Sequence, residues 1–559
     1  MTQLTPNQCS MKVSDLFVKA LENEGVRYVF GVPGEENEDL LFSLDQSSIQ
    51  FIPTRHEQGA AFMADVWGRI TGKAGVCLAT LGPGATNLLT GIADAHLDKS
   101  PVVAITGQGD LDRLHNTSHQ NLDIVSMFRP VTKWNTAVST PDIVPEVVRK
   151  AFKRAELEKP GATHIELSED VAKAETHNTD LIQAESLRRA APDYKALQQT
   201  IELLKKARRP LIIAGNGAIR KQASKHLMKL VNAFGIPVAH TFMGKGAVTD
   251  TNELSLYSIG LGFKDYVMEA VERADLILTV GYDIAEYAPE AWNPDNSNTI
   301  VHIDFEVAEV YTHYRPEVEL ICDISAALWE LNRTMKEQDF SFDTGWHTGI
   351  RKRILEDIQS YDLTEGDDFT IPGALNSIRK ALPESGLLIS DVGSHKMWIA
   401  RNFLTCCPNG CIISNGLATM GVALPGGIAA SLADPDRHIV AAMGDGGFMM
   451  NVQELETAKR LGTGFTIVIF NDNDYGLISW KQRMHTGSST GTRITNPDFK
   501  ALAESFGIKG YCPKTISELK QQLEHTIGTR ELSVIEIPVN PSVNSKLTEK
   551  LDGYWKKQG

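Results

Sequence analysis

The sequence predicts an α/β protein of three doubly wound domains with mostly parallel sheets. Three observations point there. The 559 residues suffice for about three domains of ordinary size. Short apolar runs such as Ile439-Val440-Ala441-Ala442-Met443 and Phe465-Thr466-Ile467-Val468-Ile469-Phe470 end abruptly in Gly or Asn/Asp, the pattern of buried parallel strands. Between such runs lie segments of good helix formers, as from Val452 to Leu461, which read as crossover helices.

In chain order, residues 1–10 are a loose polar tail. Helical spacing of Leu16, Phe17, Ala20 and Leu21 predicts a helix from Val13 to Glu24, stopped by Gly25 as a left-handed cap. Strands follow at Arg27–Phe30 and Phe51–Thr54, the second running into Arg55-His56-Glu57 and a helix from Gln58 to Thr71. The strand Gly75–Thr80 opens into the Gly-rich turn Leu81-Gly82-Pro83-Gly84-Ala85-Thr86-Asn87 and another helix, and Val102–Thr106 ends in Gly107-Gln108-Gly109. This alternation marks a first domain over residues 1–175. After a polar linker at about 174–192, helix Tyr194–Ala207 opens a second domain over 190–335, with strands at Pro210–Ala214, Pro237–His240, Leu276–Val280 and Thr299–Ile303 and a helix at Tyr266–Arg273. Its Gly215-Asn216-Gly217-Ala218 turn lacks the third Gly of a dinucleotide fingerprint. A charged, partly helical linker over about 336–368 leads to the third domain, 369–541, with strands at Gly386–Ser390, Ile439–Met443, Phe465–Phe470 and Ser533–Pro538.

Composition narrows the function. With 42% hydrophobic and 22% charged residues the chain reads as an ordinary globular protein. A formal net charge of −15 argues against general nucleic-acid or anionic-membrane affinity. The seven cysteines are odd in number and irregularly spaced, and Cys406-Cys407-Pro408-Asn409-Gly410-Cys411 has no fourth ligand at a zinc-like spacing. Reduced thiols are expected. The N-terminus has no apolar signal core and no run of 18 apolar residues occurs, so a cytoplasmic protein without membrane spans is expected.

The chemistry centres on Gly444-Asp445-Gly446-Gly447 and Asn471-Asp472-Asn473-Asp474. Both stand at the carboxyl ends of predicted parallel strands, where open α/β sheets bind ligands. The carboxylates of Asp445 and Asp472, with an oxygen from Asp474, suit Mg²⁺, which keeps positions open for phosphate and water. Gly446, Gly447 and the helix start behind them offer backbone N–H groups to a phosphate. Ser394 and His395 follow the strand Gly386–Ser390 and suit the same diphosphate if they share that sheet edge.

The two turns, 27 positions apart from Asp445 to Asp472, resemble the thiamine diphosphate (ThDP) motif. The string from Thr54-Arg55-His56-Glu57 through Leu81-Gly82-Pro83-Gly84-Ala85-Thr86-Asn87 resembles the first domain of the acetolactate synthase family, and Asp472 together with Gly281-Tyr282-Asp283-Ile284-Ala285-Glu286-Tyr287-Ala288-Pro289-Glu290-Ala291-Trp292-Asn293 resembles its catabolic, FAD-independent branch. The resemblance spans nearly the whole chain. It implies the ThDP-binding fold of the pyruvate oxidase/decarboxylase type, ThDP and Mg²⁺ as cofactors, no FAD, and a homodimer or homotetramer with the cofactor sandwiched between first and third domains of different subunits. It also implies roles. Glu57 meets the aminopyrimidine and drives its tautomer switch. Gln120 lies near the reacting carbon. The Ala418 carbonyl receives the pyrimidine amine, and Met420 holds the cofactor bent. Gly444, Asp445, Gly446, Gly447, Asp472, Asp474 and Tyr475 hold diphosphate and metal.

The implied reaction is decarboxylation of a 2-oxo acid and carboligation, with two pyruvates giving 2-acetolactate and CO₂. Alternatives are a 2-oxo acid decarboxylase releasing an aldehyde, a carboligase with another acceptor, and a non-enzymatic nucleotide-binding protein of the same architecture. The paired histidines typical of pyruvate decarboxylases are absent. The substrate reading is weakened at three places. Glu36 stands where catabolic enzymes carry Lys, Lys481 stands where Gln is common, and Gln108 matches the anabolic branch.

Overall fold

The computed structural model describes residues 10–185, 189–220, 222–260 and 265–547. The polar tail expected before Ser10, with Cys9 in it, lies outside them, as do residues 186–188 of the first linker and the polar tail beyond 547. The chain forms two compact units. One holds the residues up to 187 together with 428–433 and 451–461, and the other holds the remainder.

In the first unit, six strands form one parallel sheet in the order Gln50–Pro53, Tyr28–Gly31, Gly75–Ala79, Val102–Gln108, Ala162–Ser168, Trp134–Ala137. The inner strands Val102–Gln108 and Ala162–Ser168 are buried at every position, because crossover helices cover both faces and leave no polar side to alternate with. The helix Glu57–Thr71 starts one residue earlier than expected. The His56 imidazole caps it by accepting the Gln58 N–H, and Gly72 closes it at φ 69°. A pairing the sequence did not reveal ties Met11–Lys12 antiparallel to Glu175–Thr176 inside the first linker.

The second unit carries two more six-stranded parallel sheets. One runs Ser255–Ser258, Val238–His240, Pro210–Ala214, Leu276–Val280, Ile300–Asp304, Val318–Ile321. The other runs Cys411–Ile413, Leu387–Ser390, Ile439–Gly444, Thr466–Asn471, Ser533–Pro538, Lys509–Tyr511. The expected strands are all present within a residue or two. The helix expected over Val452–Leu461 is present as Glu454–Leu461, and a short helix the sequence did not reveal, Asp445–Met450, precedes it. Within Asp445–Met450, Phe448 is buried edge-on against Phe499. In the second linker, helix Thr348–Gln359 buries Ile350, Ile354 and Ile358 along one stripe.

A charged cluster is sealed inside this unit. Lys245, Asp250 and His240 are all buried, with Lys245 Nζ 3.1 Å from one Asp250 oxygen and His240 Nε2 3.1 Å from the other. The Ser255 hydroxyl and the Thr405 N–H also donate to Asp250. Burial alone pushes the Asp250 carboxyl up, but Lys245 and the His240 hydrogen bond hold it below the usual carboxylate range. Removing one partner of a buried pair leaves a bare charge, which costs about 3–5 kcal/mol. Lys245→Met is therefore expected to lower the stability of this unit by that order, read as a fall in the urea midpoint at pH 7. An unchanged midpoint would show that the pair carries no such weight.

Candidate functional site

The strands Ile439–Gly444 and Thr466–Asn471 are parallel neighbours, with Gly444 opposite Phe470. That register brings Asp445 and Asp472 to one sheet edge. Leu387–Ser390 pairs on the other side of Ile439–Gly444 and feeds the helix Ser394–Asn402. Around these strand ends lies a cavity of about 290 Å³. Ser394, His395, Ala418, Met420, Gly444, Asp445, Gly446, Gly447, Asp472, Asp474 and Tyr475 all line it. Leu477 and Ile478 line it as well.

Its electrostatics are dominated by crowded carboxylates, with the guanidinium groups of Arg483 and Arg493 at 3.7 and 4.0 Å from one Asp474 oxygen. Burial, then the charge of Asp445, push the Asp472 carboxyl up to about 7. Asp445 is also raised, chiefly by burial, although it accepts from the N–H groups of Gly446 and Asn473 and from Asn496 Nδ2, each at 2.8 Å. One buried Asp474 oxygen and the buried Nε2 of His395 have no hydrogen-bond partner. Burial holds His395 down to about 3, so its ring is neutral at pH 7. Crowded carboxylates call for a hard divalent cation, and a neutral imidazole beside backbone N–H groups suits a phosphate oxygen. Among the described residues, no group of three or more His, Cys, Asp or Glu side chains is arranged to hold a metal. A cation here would draw on two carboxylates, backbone and ligand oxygens.

The cavity wall depends on close backbone approach. A Cβ on Gly446 would stand 2.8 Å from the Tyr475 ring, and one on Gly447 2.7 Å from an Asp391 oxygen. Asp391 is fully buried, accepts the N–H groups of Val392 and Gly421, and is pushed up to about 7 by burial. It fixes Gly421, the neighbour of Met420. Ala418 and Asn473 hold positive φ of 58° and 54°, a backbone strain that ordered sites retain.

Glu57 and Gln120 belong to the other compact unit. Glu57 is the first helical residue, is 8% exposed, and accepts from Asn87 Nδ2 at 2.9 Å. Gln120 is exposed, with φ 56°, and its Cβ would lie 2.8 Å from a Cβ placed on Gly82. Glu36 accepts the Thr80 hydroxyl at 2.6 Å. Gln108 bridges Glu166 and the Leu122 carbonyl, so it secures the strand behind the Gln120 loop. The sequence reading missed Asp391, Asn87 and Asn496. An Asn-Pro turn at 496–497 was the one local signal for Asn496. No disulfide joins Cys77, Cys322, Cys406, Cys407, Cys411 or Cys512. Among the described residues no helix is long and apolar enough to cross a membrane.

The raised Asp472 carboxyl has a pH signature. With a folded value of about 7 against an ordinary 3.8 when unfolded, its favourable contribution is complete below pH 4 and is lost as pH rises through 7. Asp472→Asn removes that loss. In EDTA at pH 8 this variant is expected to be more stable than the parent, by on the order of 1–2 kcal/mol once solvent screening is allowed for. The difference should vanish near pH 4, and equal melting curves at both pH values would contradict it.

Residues 11–127 match the model of the thiamine pyrophosphate enzyme N-terminal TPP binding domain, 197–331 that of the central domain, and 391–537 that of the C-terminal TPP binding domain. The acetolactate synthase of Bacillus subtilis (strain 168) is 33% identical over 98% of this chain and 97% of its own. A catabolic acetolactate synthase of Raoultella terrigena is 34% identical, covering 96% of this chain and 97% of its own. A probable acetolactate synthase large subunit of Methanocaldococcus jannaschii is 34% identical, covering 95% and 92%. With all three domain models matched in order and relatives aligned end to end, the chain belongs to the thiamine diphosphate-dependent acetolactate synthase family.

Proposed function

We propose that this protein is an acetolactate synthase: it decarboxylates one pyruvate and joins the remaining two-carbon unit to a second, giving 2-acetolactate and CO₂. The observation that carries this reading is the cavity at the ends of the Leu387–Ser390, Ile439–Gly444 and Thr466–Asn471 strands, with its crowded carboxylates and its unpartnered His395 and Asp474 atoms. Those residues fit a Mg²⁺–diphosphate group. When bound, ThDP supplies carbanion stabilisation through its thiazolium ring. In this reading Asp445, Asp472 and an oxygen of Asp474 hold the metal. Ser394, His395 and the N–H groups of Gly446 and Gly447 take the diphosphate. The Ala418 carbonyl and Met420 orient the cofactor, with Gly444 and Tyr475 completing the wall. Glu57, steadied by Asn87, would hold a proton for the pyrimidine ring, and Gln120 would lie near the reacting carbon. The domains run over 1–175, 190–335 and 369–541, and the enzyme acts in the cytoplasm as a homodimer or homotetramer.

A second reading, carboligation to a different acceptor, is favoured by Glu36, whose carboxylate is pinned by Thr80 and would repel a carboxylate substrate. Product analysis separates the two. Pyruvate with ThDP and Mg²⁺ is expected to give little acetoin or acetaldehyde before acidification, and acetoin after acid decarboxylation of acetolactate. Mostly acetaldehyde in both samples would favour a decarboxylase. Pyruvate left unconsumed would move the substrate elsewhere.

The active protein carries no FAD in this reading, and one arrangement supports it. At the carboxyl ends of the strands Pro210–Ala214, Val238–His240 and Leu276–Val280, the seat that a nucleotide phosphate would take is filled by Glu286. Its carboxylate accepts the N–H groups of Asn216 at 3.1 Å and Asp283 at 3.3 Å, and the Thr241 hydroxyl. Burial raises it to about 7. A Cβ on Gly215 would stand 3.0 Å from a Glu286 oxygen. The purified protein should be colourless, with turnover indifferent to added FAD. A yellow preparation whose flavin is required for turnover would show the reverse.

A further inference from the structure

We propose that Glu454 is a positioning residue for Glu57, an inference that rests on the ThDP reading above. Glu454 opens the helix Glu454–Leu461, within the same compact unit as Glu57. Its side chain is fully buried. One carboxylate oxygen accepts two backbone N–H groups, those of Arg55 and His56, both at 3.1 Å. The other accepts the Thr457 hydroxyl at 2.6 Å and lies 3.3 Å from the Arg55 nitrogen. Arg55 and His56 are the two residues immediately before Glu57.

A buried carboxylate is costly unless its oxygens are hydrogen-bonded. Here the donors are two main-chain groups at the entry to a helix, where N–H groups otherwise lack acceptors and where the helix dipole favours negative charge. Burial raises the Glu454 carboxyl, and the hydrogen bonds from Thr457, Arg55 and His56 oppose that rise. Room for the side chain comes from Gly59, where a Cβ would stand 2.8 Å from the Glu454 oxygen. Two outer contacts hold the same loop. Arg55 Nε donates to Glu456 at 2.8 Å, and the Arg460 guanidinium donates to the Pro53 carbonyl. Glu454 accepts the N–H groups of both residues that lead into Glu57, and the Thr54 hydroxyl donates to the His56 carbonyl beside them at 3.1 Å. The geometry assigns it the task of fixing the Glu57 carboxyl, in the sense that a displacement of about 1 Å at a reacting group can cost 10²-fold in rate.

Reach and charge can be separated by substitution. Glu454→Gln keeps the length. Its amide oxygen can accept from Arg55 and His56 while its NH₂ donates to the Thr457 oxygen. Glu454→Asp keeps the charge but withdraws the acceptor, and Glu454→Ala removes it. Glu456→Gln, which breaks only the outer contact, is the control. Two readouts are taken. One is exchange of the ThDP C2 proton into D₂O with Mg²⁺ present. The other is amide exchange at Arg55–Glu57 in cofactor-free protein. The expected result is Glu454→Gln and Glu456→Gln close to wild type, and Glu454→Asp and Glu454→Ala slowed about 10–100-fold at C2 with faster amide exchange and little change in substrate KM. The reverse order, aspartate fast and glutamine slow, would overturn positioning in favour of charge. Wild-type C2 exchange in every folded variant, with only a lower melting temperature, would reduce Glu454 to a structural residue. If the wild type itself does not exchange C2, the ThDP reading fails and the inference fails with it, whatever the amide data show.

Discussion

The register between Ile439–Gly444 and Thr466–Asn471 is the constraint on which the site depends. Gly444 sits opposite Phe470, so Asp445 and Asp472 leave their strands together. A slip by one residue would send each side chain to the opposite face. The register is secured by burial, since every residue from Ile439 to Met443 and from Thr466 to Phe470 is buried. The core thus fixes two carboxylates at a distance short enough for the charge of Asp445 to raise the proton affinity of Asp472. The strain left there is electrostatic, and a divalent cation would relieve it.

Around this pair the fold uses backbone N–H groups to hold buried acids. Asp391 takes the N–H of Gly421, Asp445 takes that of Asn473, Glu454 takes those of Arg55 and His56, and Glu286 takes that of Asn216. A carboxylate accepts several hydrogen bonds at once, which lets one side chain anchor two segments distant in sequence. Glycines make this possible at Gly59 and Gly447, where a side chain would occupy the space of the acid. The same device serves the cavity and the start of the Glu57 helix, so loops that carry chemistry are as firmly placed as the strands behind them.

How much of this was legible in the sequence follows from the range of each interaction. The strands were legible because continuous burial writes itself as an apolar run, and Pro210–Ala214, Leu276–Val280 and Ser533–Pro538 begin and end where the runs do. Asp445 and Asp472 were legible because strand ends are marked by Gly and Asn. The short helix Asp445–Met450 was not, since the packing of its Phe448 on Phe499 joins residues that no local pattern connects. Asp391, Asn87, Asn496 and Glu454 escaped for the same reason. Each acts on a partner 30 or more positions away, at distances printed by the fold alone. The pairing of Met11–Lys12 with Glu175–Thr176 is another case, two residues long on each side and so without a periodicity to read.

The two sheets of the second unit show why architecture does not decide function. Both are six-stranded, parallel and open toward their carboxyl ends. In the sheet containing Pro210–Ala214, the polar groups around Glu286 satisfy one another: Glu286 accepts from Asn216, Asp283 and Thr241, and Thr241 in turn accepts the Gly244 N–H. In the sheet containing Ile439–Gly444, the comparable end has a cavity, an unpartnered imidazole nitrogen and an unpartnered carboxylate oxygen. An unsatisfied buried polar atom costs roughly 1–3 kcal/mol, and folding has left two of them lining one wall while a neighbouring sheet of the same build has none at its Glu286 cluster. The cost is recovered when a ligand supplies the missing partners. Under the proposed function, the missing partners are a phosphate oxygen for His395 and a cation for Asp474 and its neighbours.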